Sequence, residues 1–353
     1  MDLTLDDFRI QDVSRPLKTS FRTHLQEVKV RESLIVSVAS GEQTGFGECT
    51  AFSTPWYTEE TVSSCRFVLN EVLVPILNGK TFSHPAEVSR KMASVKGNRM
   101  AKAAVETAVW DLFAKKSGVP LWKYVGGVQA QVPAGTVVAA GEGELHERVG
   151  QASSEGYKRV KLKICTASDP VELARIRSEF PEMLFFADAN GAFSADTYEE
   201  LKRFDQCGFT LIEQPFGEEE WALHAKSSAE FRTPICLDES LTSRHAARRM
   251  LQEGAGSAAV LKMGRLGGWQ ETLEVYQLFR KAGIRMWVGG MIDFGVSKAH
   301  NLALASLPGI DLPGDFSASS HYWEEDIVRP GIGVAGGQIT LPDQPGIGFQ
   351  VDF

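Results

Sequence analysis

The chain of 353 residues is long enough for two domains or for one barrel with a cap. With 43% hydrophobic and 23% charged residues, its composition excludes the disordered, collagenous and coiled-coil classes. The formal net charge of -8 gives no global positive field, so we predict a small-molecule partner, no nucleic acid and no membrane.

The first stretch, to about Gly127, mixes strand and helix patterns and predicts an α+β capping domain. Residues 33–38 read as a strand, 41–45 as a turn and 46–49 as the returning strand, which together predict a hairpin. A helix follows that Asn98 can cap and that Gly118 and Pro120 end. Its single apolar stripe consists of Ala101, Ala104, Val105, Ala108 and Leu112.

From Val132 onward, short apolar runs alternate with polar helical segments, which is typical of βα units and a parallel sheet. The predicted strands are residues 132–138, 159–164, 183–188, 209–213, 235–238, 257–262, 284–289 and, as an eighth, a segment near 310–312. So many units in about 190 residues favour a closed barrel over an open sheet. The predicted fold is α/β: a modified TIM (β/α) barrel over residues 128–320, an N-terminal α+β capping domain over 1–127, and a segment 321–353 that returns to the cap.

The cysteines and the N-terminus indicate the compartment. The five cysteines are widely spaced and form no CxxC pair, which argues against a disulfide framework and a zinc knuckle. The first residues lack the basic and apolar regions of a signal peptide, and no apolar run is long enough to cross a bilayer. We therefore expect a cytoplasmic protein.

Five charged residues recur at an almost constant interval. Lys163, Asp188, Glu213, Asp238 and Lys262 lie 25, 25, 25 and 24 residues apart. If each interval is one βα unit, the five side chains stand on successive strands at the C-terminal mouth of the barrel, where barrel active sites lie. The spacing predicts that they converge on one pocket.

Three convergent carboxylates would repel one another, and they would not all stay ionised unless a hard cation lay between them. Oxygen ligands without histidine or cysteine favour Mg²⁺, with Mn²⁺ as a substitute, over zinc. We therefore predict a magnesium site on Asp188, Glu213 and Asp238.

Two lysines alternate on one predicted strand, so Lys161 and Lys163 should face the barrel interior while Val160, Leu162 and Ile164 face the helices. A lysine beside another cation has its ammonium form disfavoured, which lowers its pKa toward that of a general base. Lys163, nearer the mouth, is the preferred base.

Lys262 stands on a strand roughly opposite, and Arg265 is close enough in sequence to depress its pKa too. Two bases would then flank one carbon. The parts predict proton abstraction α to a carboxylate, with a cation stabilising the enediolate. Reprotonation from the other face would give a racemase or epimerase, and loss of a β-hydroxyl would give a dehydratase.

Two further polar residues have both a functional and a structural interpretation. Asn190 supports the site or is only a turn residue, and Glu239 orients a lysine or a ligand or only begins a solvated helix.

The motifs around these positions are Lys161-Leu162-Lys163, Asp188-Ala189-Asn190, Glu213-Gln214-Pro215, Asp238-Glu239-Ser240, and Lys262 with Gly267-Gly268. Together they resemble the enolase superfamily in its muconate-lactonising-enzyme-like subgroup. Longer matches at residues 97–104, 108–112, 312–319 and 322–326 resemble the branch of o-succinylbenzoate synthases and N-succinylamino acid racemases.

This resemblance implies a capping domain on a modified barrel, one Mg²⁺ on Asp188, Glu213 and Asp238, and Lys163 and Lys262 as acid/base lysines. It implies one of two reactions. A synthase would dehydrate a succinyl-cyclohexadiene hydroxy-carboxylate in menaquinone synthesis, with Lys262 as a stabilising cation. A racemase would exchange the α-proton of an N-succinyl amino acid between both lysines. Barrels of this type often assemble, so we expect a homo-oligomer.

Both substrates are carboxylates with a succinyl group. We expect the cap loops 16–23 and 51–58 to close over it, with Phe21, Phe52, Trp56 and Tyr57.

One wall departs from the family pattern: after Gly289-Gly290-Met291 the family usually has Glu two residues on and then a small residue, where this chain has Asp293 and Phe294. A shorter acid and a bulky ring are expected to change this wall, which leaves the position of Lys262 and the pocket width open. The sequence is also compatible with a catalytically inactive binding barrel and, by analogy only, with a sugar-acid dehydratase.

Overall fold

A computed structural model describes residues 2–22, 26–138 and 145–352, without the side chain of Arg22. The N-terminal strands are β1 (Leu3–Thr4), β2 (Asp6–Arg22), β3 (Glu27–Ser40), β4 (Gln43–Cys49) and β5 (Thr81–Phe82). Strands β2, β3 and β4 form an antiparallel sheet in that order, and β1 pairs with β5. The predicted hairpin is confirmed as β3 and β4, joined at Gly41.

The cap loops differ in part from the prediction. Residues 16–22 belong to β2, whose pairing is irregular between Pro16 and Phe21, so they are strand and not loop. The remaining predicted loop residue, Thr23, lies outside the described residues. Residues 51–58 do lie outside helices and strands, apart from a bridge of Phe52 to Thr61.

The helices of this part of the chain pack on the sheet. They are α1 (Val62–Val68), continued by a π-turn (Leu69–Leu73) and α2 (Val74–Leu77), then α3 (Ala86–Lys91), α4 (Arg99–Lys116) and α5 (Leu121–Tyr124). The predicted helix is confirmed as α4. Gly45 and Gly47 let β4 approach it closely, because a Cβ on either would lie 2.1 Å from a carbonyl oxygen of α4.

The N-terminus of α4 differs from the expected cap. Asn98 has a φ of +51°, and its side chain donates to the Lys96 carbonyl and does not cap the helix. The buried carboxylate of Glu60 accepts hydrogen bonds from the backbone N–H groups of Met100 (2.9 Å) and Ala101 (3.1 Å). A remote acid therefore does what a local side chain was expected to do.

The described residues form a nearly closed barrel of eight parallel strands. In chain order these are β6 (Gln131–Val138), β7 (Arg159–Lys163), β8 (Leu184–Asp188), β9 (Leu211–Glu213), β10 (Ile235–Leu237), β11 (Ala258–Leu261), β12 (Arg285–Val288) and β13 (Gly314–Asp315). Neighbours in sequence are neighbours in the sheet, and β13 pairs with β6 to bring the chain round. The predicted barrel is confirmed.

The eighth strand was misplaced by a few residues. It begins at Gly314, directly after Pro313, which has no N–H for a ladder hydrogen bond, and residues 310–312 are not strand. A Cβ on Gly314 would lie 2.7 Å from the Val288 carbonyl oxygen. This close approach of β13 to β12 requires glycine.

Helices surround the barrel: α6 (Leu145–Ser154), α7 (Pro170–Glu179), α8 (Tyr198–Lys202), α9 (Trp221–Glu230), α10 (Arg244–Glu253), α11 (Met263–Leu266), α12 (Trp269–Ala282), α13 (Gly295–Ala305) and α14 (Ser319–Tyr322). The barrel interior holds a small apolar layer of Phe186, Leu211, Cys236, Ala258, Val260, Trp287 and Leu312. No helix in the described ranges is both long and apolar enough to cross a bilayer.

The C-terminal segment contacts both parts of the molecule. Its strands are β14 (Val328–Arg329), β15 (Gln338–Thr340) and β16 (Gln350–Val351), and β15 pairs antiparallel with β6 of the barrel. Gly346 accepts a hydrogen bond from Leu121 N (2.7 Å), and Ile347 N donates to Asp111 of α4 (2.7 Å). The domain boundaries at 127 and 320 stay a prediction.

Candidate active site

A cavity of about 300 Å³ lies between the cap residues and the carboxyl ends of the barrel strands. The site residues predicted from the sequence that line it are Phe21, Trp56, Tyr57, Lys161, Lys163, Asp188, Asn190, Glu239, Lys262 and Asp293. The other three, Glu213, Asp238 and Arg265, are buried and contact lining side chains. The structure thus brings the predicted set together.

Strand β7 presents a column of cations to the interior. Lys161 and Lys163 line the cavity, whereas Val160, Leu162 and Ile164 pack in the outer core, as their alternation predicts.

Arg159, two residues below Lys161 on the same strand, is fully buried. Its guanidinium pairs with Asp315 at 2.7 Å and lies over the rings of Phe186 and Trp287. A Cβ on Gly135 of the neighbouring strand would lie 2.2 Å from this guanidinium, so glycine there makes room for it.

Lys161 is surrounded by carboxylates. Its Nζ lies 2.8 Å from Asp315, 3.3 Å from Asp188 and 3.4 Å from Glu213. Burial opposes its charge, but Asp315, Glu213 and Asp188 outweigh burial and raise its pKa. These contacts favour the ammonium form of Lys161 over the free amine that a general base needs.

Lys163 stands at the strand end and is more accessible, with 27% of its side chain exposed. Its Nζ donates to Asp188 Oδ2 (2.6 Å) and Asn190 Oδ1 (2.5 Å), and Asn190 Nδ2 in turn donates to Glu239 Oε1 (2.9 Å). Asn190 is at the same time a turn residue, with a φ of +44°. Both polar residues that had two interpretations thus contact the lysine or its partner.

Lys262 is enclosed, with 7% of its side chain exposed. Its Nζ donates to Asp238 Oδ2 (2.7 Å) and to the hydroxyl of Tyr57 (2.7 Å). Arg265 donates to the same two groups. Burial and Arg265 oppose the charge on Lys262, as expected for Arg265, but Asp238 and Tyr57 outweigh them and raise the pKa of Lys262 overall.

The three carboxylates at the ends of β8, β9 and β10 differ in charge balance. Burial opposes ionisation of all three, but Lys163 and Lys161 lower the pKa of Asp188, and Arg265 and Lys262 lower that of Asp238. The pKa of Glu213 is raised by burial and by the charge of Asp188. In this structure a lysine ammonium group lies at hydrogen-bonding distance from each of the three acids, and the longest of these contacts is that of Lys161 to Glu213, at 3.4 Å.

The residues fit a hard cation in type and burial. Glu213 Oε2 is a buried carboxylate oxygen without a hydrogen-bond partner, and the other two acids offer oxygen ligands at adjacent strand ends. Their arrangement is not that of an assembled site: among the described residues, no three acidic, histidine or cysteine side chains form a group that could hold a metal ion. Cation binding therefore requires Lys161, Lys163 or Lys262 to move off the carboxylates. The magnesium site stays a prediction.

The residues after β12 that differ from the family pattern, Asp293 and Phe294, lie differently from the expectation. Asp293 lines the cavity, but its Oδ2 accepts from Asn301 (3.1 Å), and no hydrogen bond to Lys262 is found. The ring of Phe294 stacks on Trp323 and does not line the cavity, and its effect on the width of the pocket stays a prediction. Ile292, held at a φ of +58°, lines the cavity instead.

Sequence reasoning missed several residues. Asp315, at the end of the misplaced eighth strand, pairs with both Arg159 and Lys161. Gln214 accepts from Asp238 N (3.0 Å) and donates to Ser240 (2.8 Å), which fixes the end of β10. Lys298 also lines the cavity. Asp315 could have been predicted from the sequence, because it follows the glycine that closes the barrel. Lys298 could not, because it lies on a helix and belongs to no periodic pattern.

Comparison with known proteins agrees with this geometry. A family model described as Mandelate racemase / muconate lactonizing enzyme, N-terminal domain, matches residues 6–126, and one described as Enolase C-terminal domain-like matches residues 144–353. The o-succinylbenzoate synthase of Bacillus subtilis (strain 168) is 40% identical over 352 residues, covering 99% of this chain and 95% of that protein.

An N-succinylamino acid racemase of Thermus thermophilus is 41% identical over 339 residues, covering 95% of this chain and 92% of that protein. The crystal structure of an enolase superfamily member from Listeria innocua matches with a TM-score of 0.96 at 35% identity, covering 99% of this chain and 95% of that one.

The chain therefore belongs to the enolase superfamily, in the muconate-lactonising-enzyme-like branch that contains o-succinylbenzoate synthases and N-succinylamino acid racemases. It is an enzyme, a lyase with racemases among its relatives. Members of this superfamily generally depend on a divalent metal.

Proposed function

We propose that this enzyme is an o-succinylbenzoate synthase of menaquinone biosynthesis. The observation that supports this most directly is that Lys163 and Lys262 line one cavity from different strands, each on a carboxylate at a strand end. Relatives with that name are 36–40% identical over nearly the whole chain.

Asp188, Glu213 and Asp238 would hold the metal, with Mg²⁺ as the expected ion and Mn²⁺ as a substitute. Once bound, the cation would neutralise charge on the substrate carboxylate and so acidify the α-carbon. The chain's own part is to balance its buried carboxylates, which its lysines do in this structure.

In the proposed dehydration, Lys163 as free amine takes the α-proton, and the C–H electron pair passes to the carboxylate as an enediolate, from which it later forms the new ring double bond as the C–O bond breaks. Lys262 keeps its proton, and its ammonium faces the negative charge that develops on the substrate carboxylate. Lys163 then returns its proton to the departing hydroxyl, which leaves as water, and the ring becomes aromatic.

N-succinylamino acid racemisation is the second candidate, because both lysines line the same cavity and a racemase relative is 41% identical. Here one lysine removes the α-proton and the other delivers a proton to the opposite face. The geometry permits both activities in one pocket, but racemisation requires Lys262 to lose its proton beside Asp238. That requirement places the synthase first.

The test measures both reactions with Mg²⁺ present: aromatisation of the succinyl-cyclohexadiene carboxylate by absorbance, and loss of optical rotation of N-succinyl-phenylalanine. Lys163→Ala and Lys262→Ala are compared with Lys123→Ala, whose side chain pairs with Asp343 and does not line the cavity. Efficient aromatisation without loss of rotation supports the synthase. Faster racemisation would reverse the order, and the absence of both would contradict the substrate assignment.

A small-molecule carboxylate with a succinyl group is the proposed partner. Cytoplasmic location and homo-oligomeric assembly stay predictions, and light scattering after size-exclusion chromatography measures the assembly.

A further inference from the structure

Lys298 is a buried lysine with an unusual environment. It lies in the first turn of α13, is 3% exposed and lines the cavity. Its Nζ donates to the Ser317 carbonyl (3.0 Å) and lies 5.7 Å from the centre of the Tyr322 ring. These contacts leave donor capacity on an ammonium group that has three N–H bonds.

The other three lysines that line the cavity differ from Lys298 in their partners. Lys161, Lys163 and Lys262 each have a carboxylate oxygen within 2.8 Å. For Lys298, no carboxylate of the described residues lies within ion-pair distance, 4.0 Å. It is thus a cation of the cavity whose charge the protein has not paired directly.

The acids that act on Lys298 electrostatically accept hydrogen bonds from other donors, although Asp293 Oδ1 has no hydrogen-bond partner. Asp326 accepts from Gly295 N and Ile327 N, Glu48 accepts from Phe294 N and Ser297 N, and Asp293 accepts from Asn301 Nδ2. The same bonds use the backbone N–H groups at the start of α13. The Lys298 ammonium is therefore the side-chain cation at this end of the helix that keeps donor capacity for a ligand.

A buried charge is costly unless it is paired, and a bound anion would pair this one. We propose that Lys298 binds a second carboxylate of the substrate, so that the cavity selects dicarboxylates over neutral molecules of the same shape. This inference rests on the proposed function, in which the succinyl chain carries that second carboxylate while the first lies at the reacting carbon. Lys298 then determines specificity and takes no part in proton transfer.

Binding of two matched probes tests the proposal. One is o-succinylbenzoate, and the other is the same molecule with the carboxylate of the succinyl chain replaced by a carboxamide. Calorimetry with Mg²⁺ present measures the Kd of each probe. We expect the wild type to bind the dicarboxylate about 10- to 100-fold more tightly, as a hydrogen bond between charged groups allows.

Three variants locate the cause of that preference. Lys298→Met should reduce the preference to less than about threefold by weakening the dicarboxylate alone, and Lys298→Arg should retain most of it. Lys102→Met is the matched control. Lys102 is another partly buried lysine that donates to a backbone carbonyl, that of Val95, but it does not line the cavity.

Equal binding of both probes by the wild type would overturn the proposal, whatever the variants do. A loss in Lys298→Met that affects both probes equally would also overturn it, because it would indicate a structural role through Ser317. Turnover measured in parallel separates the two proposals. If the enzyme prefers the dicarboxylate through Lys298 but catalyses neither reaction, the subsite is supported and the proposed reactions are contradicted. If it catalyses either reaction without that preference, the reaction is supported and the subsite is contradicted.

Discussion

The two lysines of the cavity have different surroundings. Lys163 is a quarter exposed, and its partners are Asp188, at the end of strand β8 of the barrel, and Asn190, two residues further on. Lys262 is nearly enclosed, and one of its two partners is Tyr57, a residue of the cap. The barrel therefore supplies both hydrogen-bond partners of Lys163, whereas one of the two partners of Lys262 comes from the cap.

This difference bears on the choice between the two reactions. Dehydration needs one base, which the barrel supplies at Lys163. Racemisation needs a second base, and the second lysine is held as a cation by Asp238 and by a hydroxyl that belongs to the cap. Changes on the cap side should therefore affect racemisation more than dehydration.

The largest expected effect is on the Lys163 side. Lys163→Ala removes the proposed base and should reduce kcat for both reactions about 10³-fold or more, within the range of general-base catalysis. Lys262→Ala should reduce racemisation as severely but leave measurable aromatisation. Equal retention of both activities in Lys163→Ala would contradict the assignment of the base.

Chelation of divalent metal should affect both sides, because Glu213 lies between the acids that hold the two lysines. We expect both reactions to stop with excess chelator and to return with Mg²⁺. Mg²⁺ at 100 times its Kd should stabilise the wild type by about 2.7 kcal/mol, which a rise in the thermal unfolding midpoint would report. Glu213→Gln should show a smaller rise. A midpoint that does not respond to Mg²⁺ would argue against the metal site.

Tyr57→Phe tests the dependence of Lys262 on the cap directly. The substitution removes the hydroxyl that accepts from Lys262 and Arg265 but keeps the ring. Loss of this acceptor makes the Lys262 ammonium easier to deprotonate, so racemisation should rise relative to aromatisation, by about threefold to tenfold. Steady-state kinetics on both substrates measures the ratio. An equal fall in both would remove the distinction between the two sides.

The barrel could be predicted from sequence because strand periodicity and a constant spacing of charged residues are local signals. Lys163, Asp188, Glu213, Asp238 and Lys262 repeat once per βα unit, and a barrel places residues with that spacing at one mouth. The eighth strand was misplaced because it is two residues long and is fixed by contact with its neighbours across the barrel.

The partners of the charged residues could not be predicted in the same way. Lys262 meets Tyr57 across 205 residues of sequence, and Glu60 caps α4 from 40 residues away. Such contacts depend on how the cap lies on the barrel, which no local pattern encodes. The pKa of Lys262 was expected to fall because Arg265 is near in sequence. The carboxylate of Asp238, which comes from another strand, outweighs Arg265 and raises that pKa.

The smallest expected effect concerns a second contact between the cap and the chain after Lys262. Glu106 of α4 accepts from Gln270 N (2.6 Å) at the start of α12, and its other oxygen has no hydrogen-bond partner. Burial raises the pKa of Glu106 to about 8. Between its ordinary pKa and about 8, the folded state thus holds a proton that the unfolded state has lost, so stability should decrease as pH rises through this range.

Glu106→Gln removes the titration and should flatten that decrease, which for one proton is at most about 1.4 kcal/mol per pH unit. Urea unfolding at several pH values between about 5 and 8 measures it, with the exposed Glu71→Gln in the same domain as control. Parallel profiles for wild type and Glu106→Gln would show that Glu106 is already ionised in the folded state. A flatter profile would show that Glu106 is a neutral acid in the folded state, so that the contact between the cap and the start of α12 contributes less stability as pH rises.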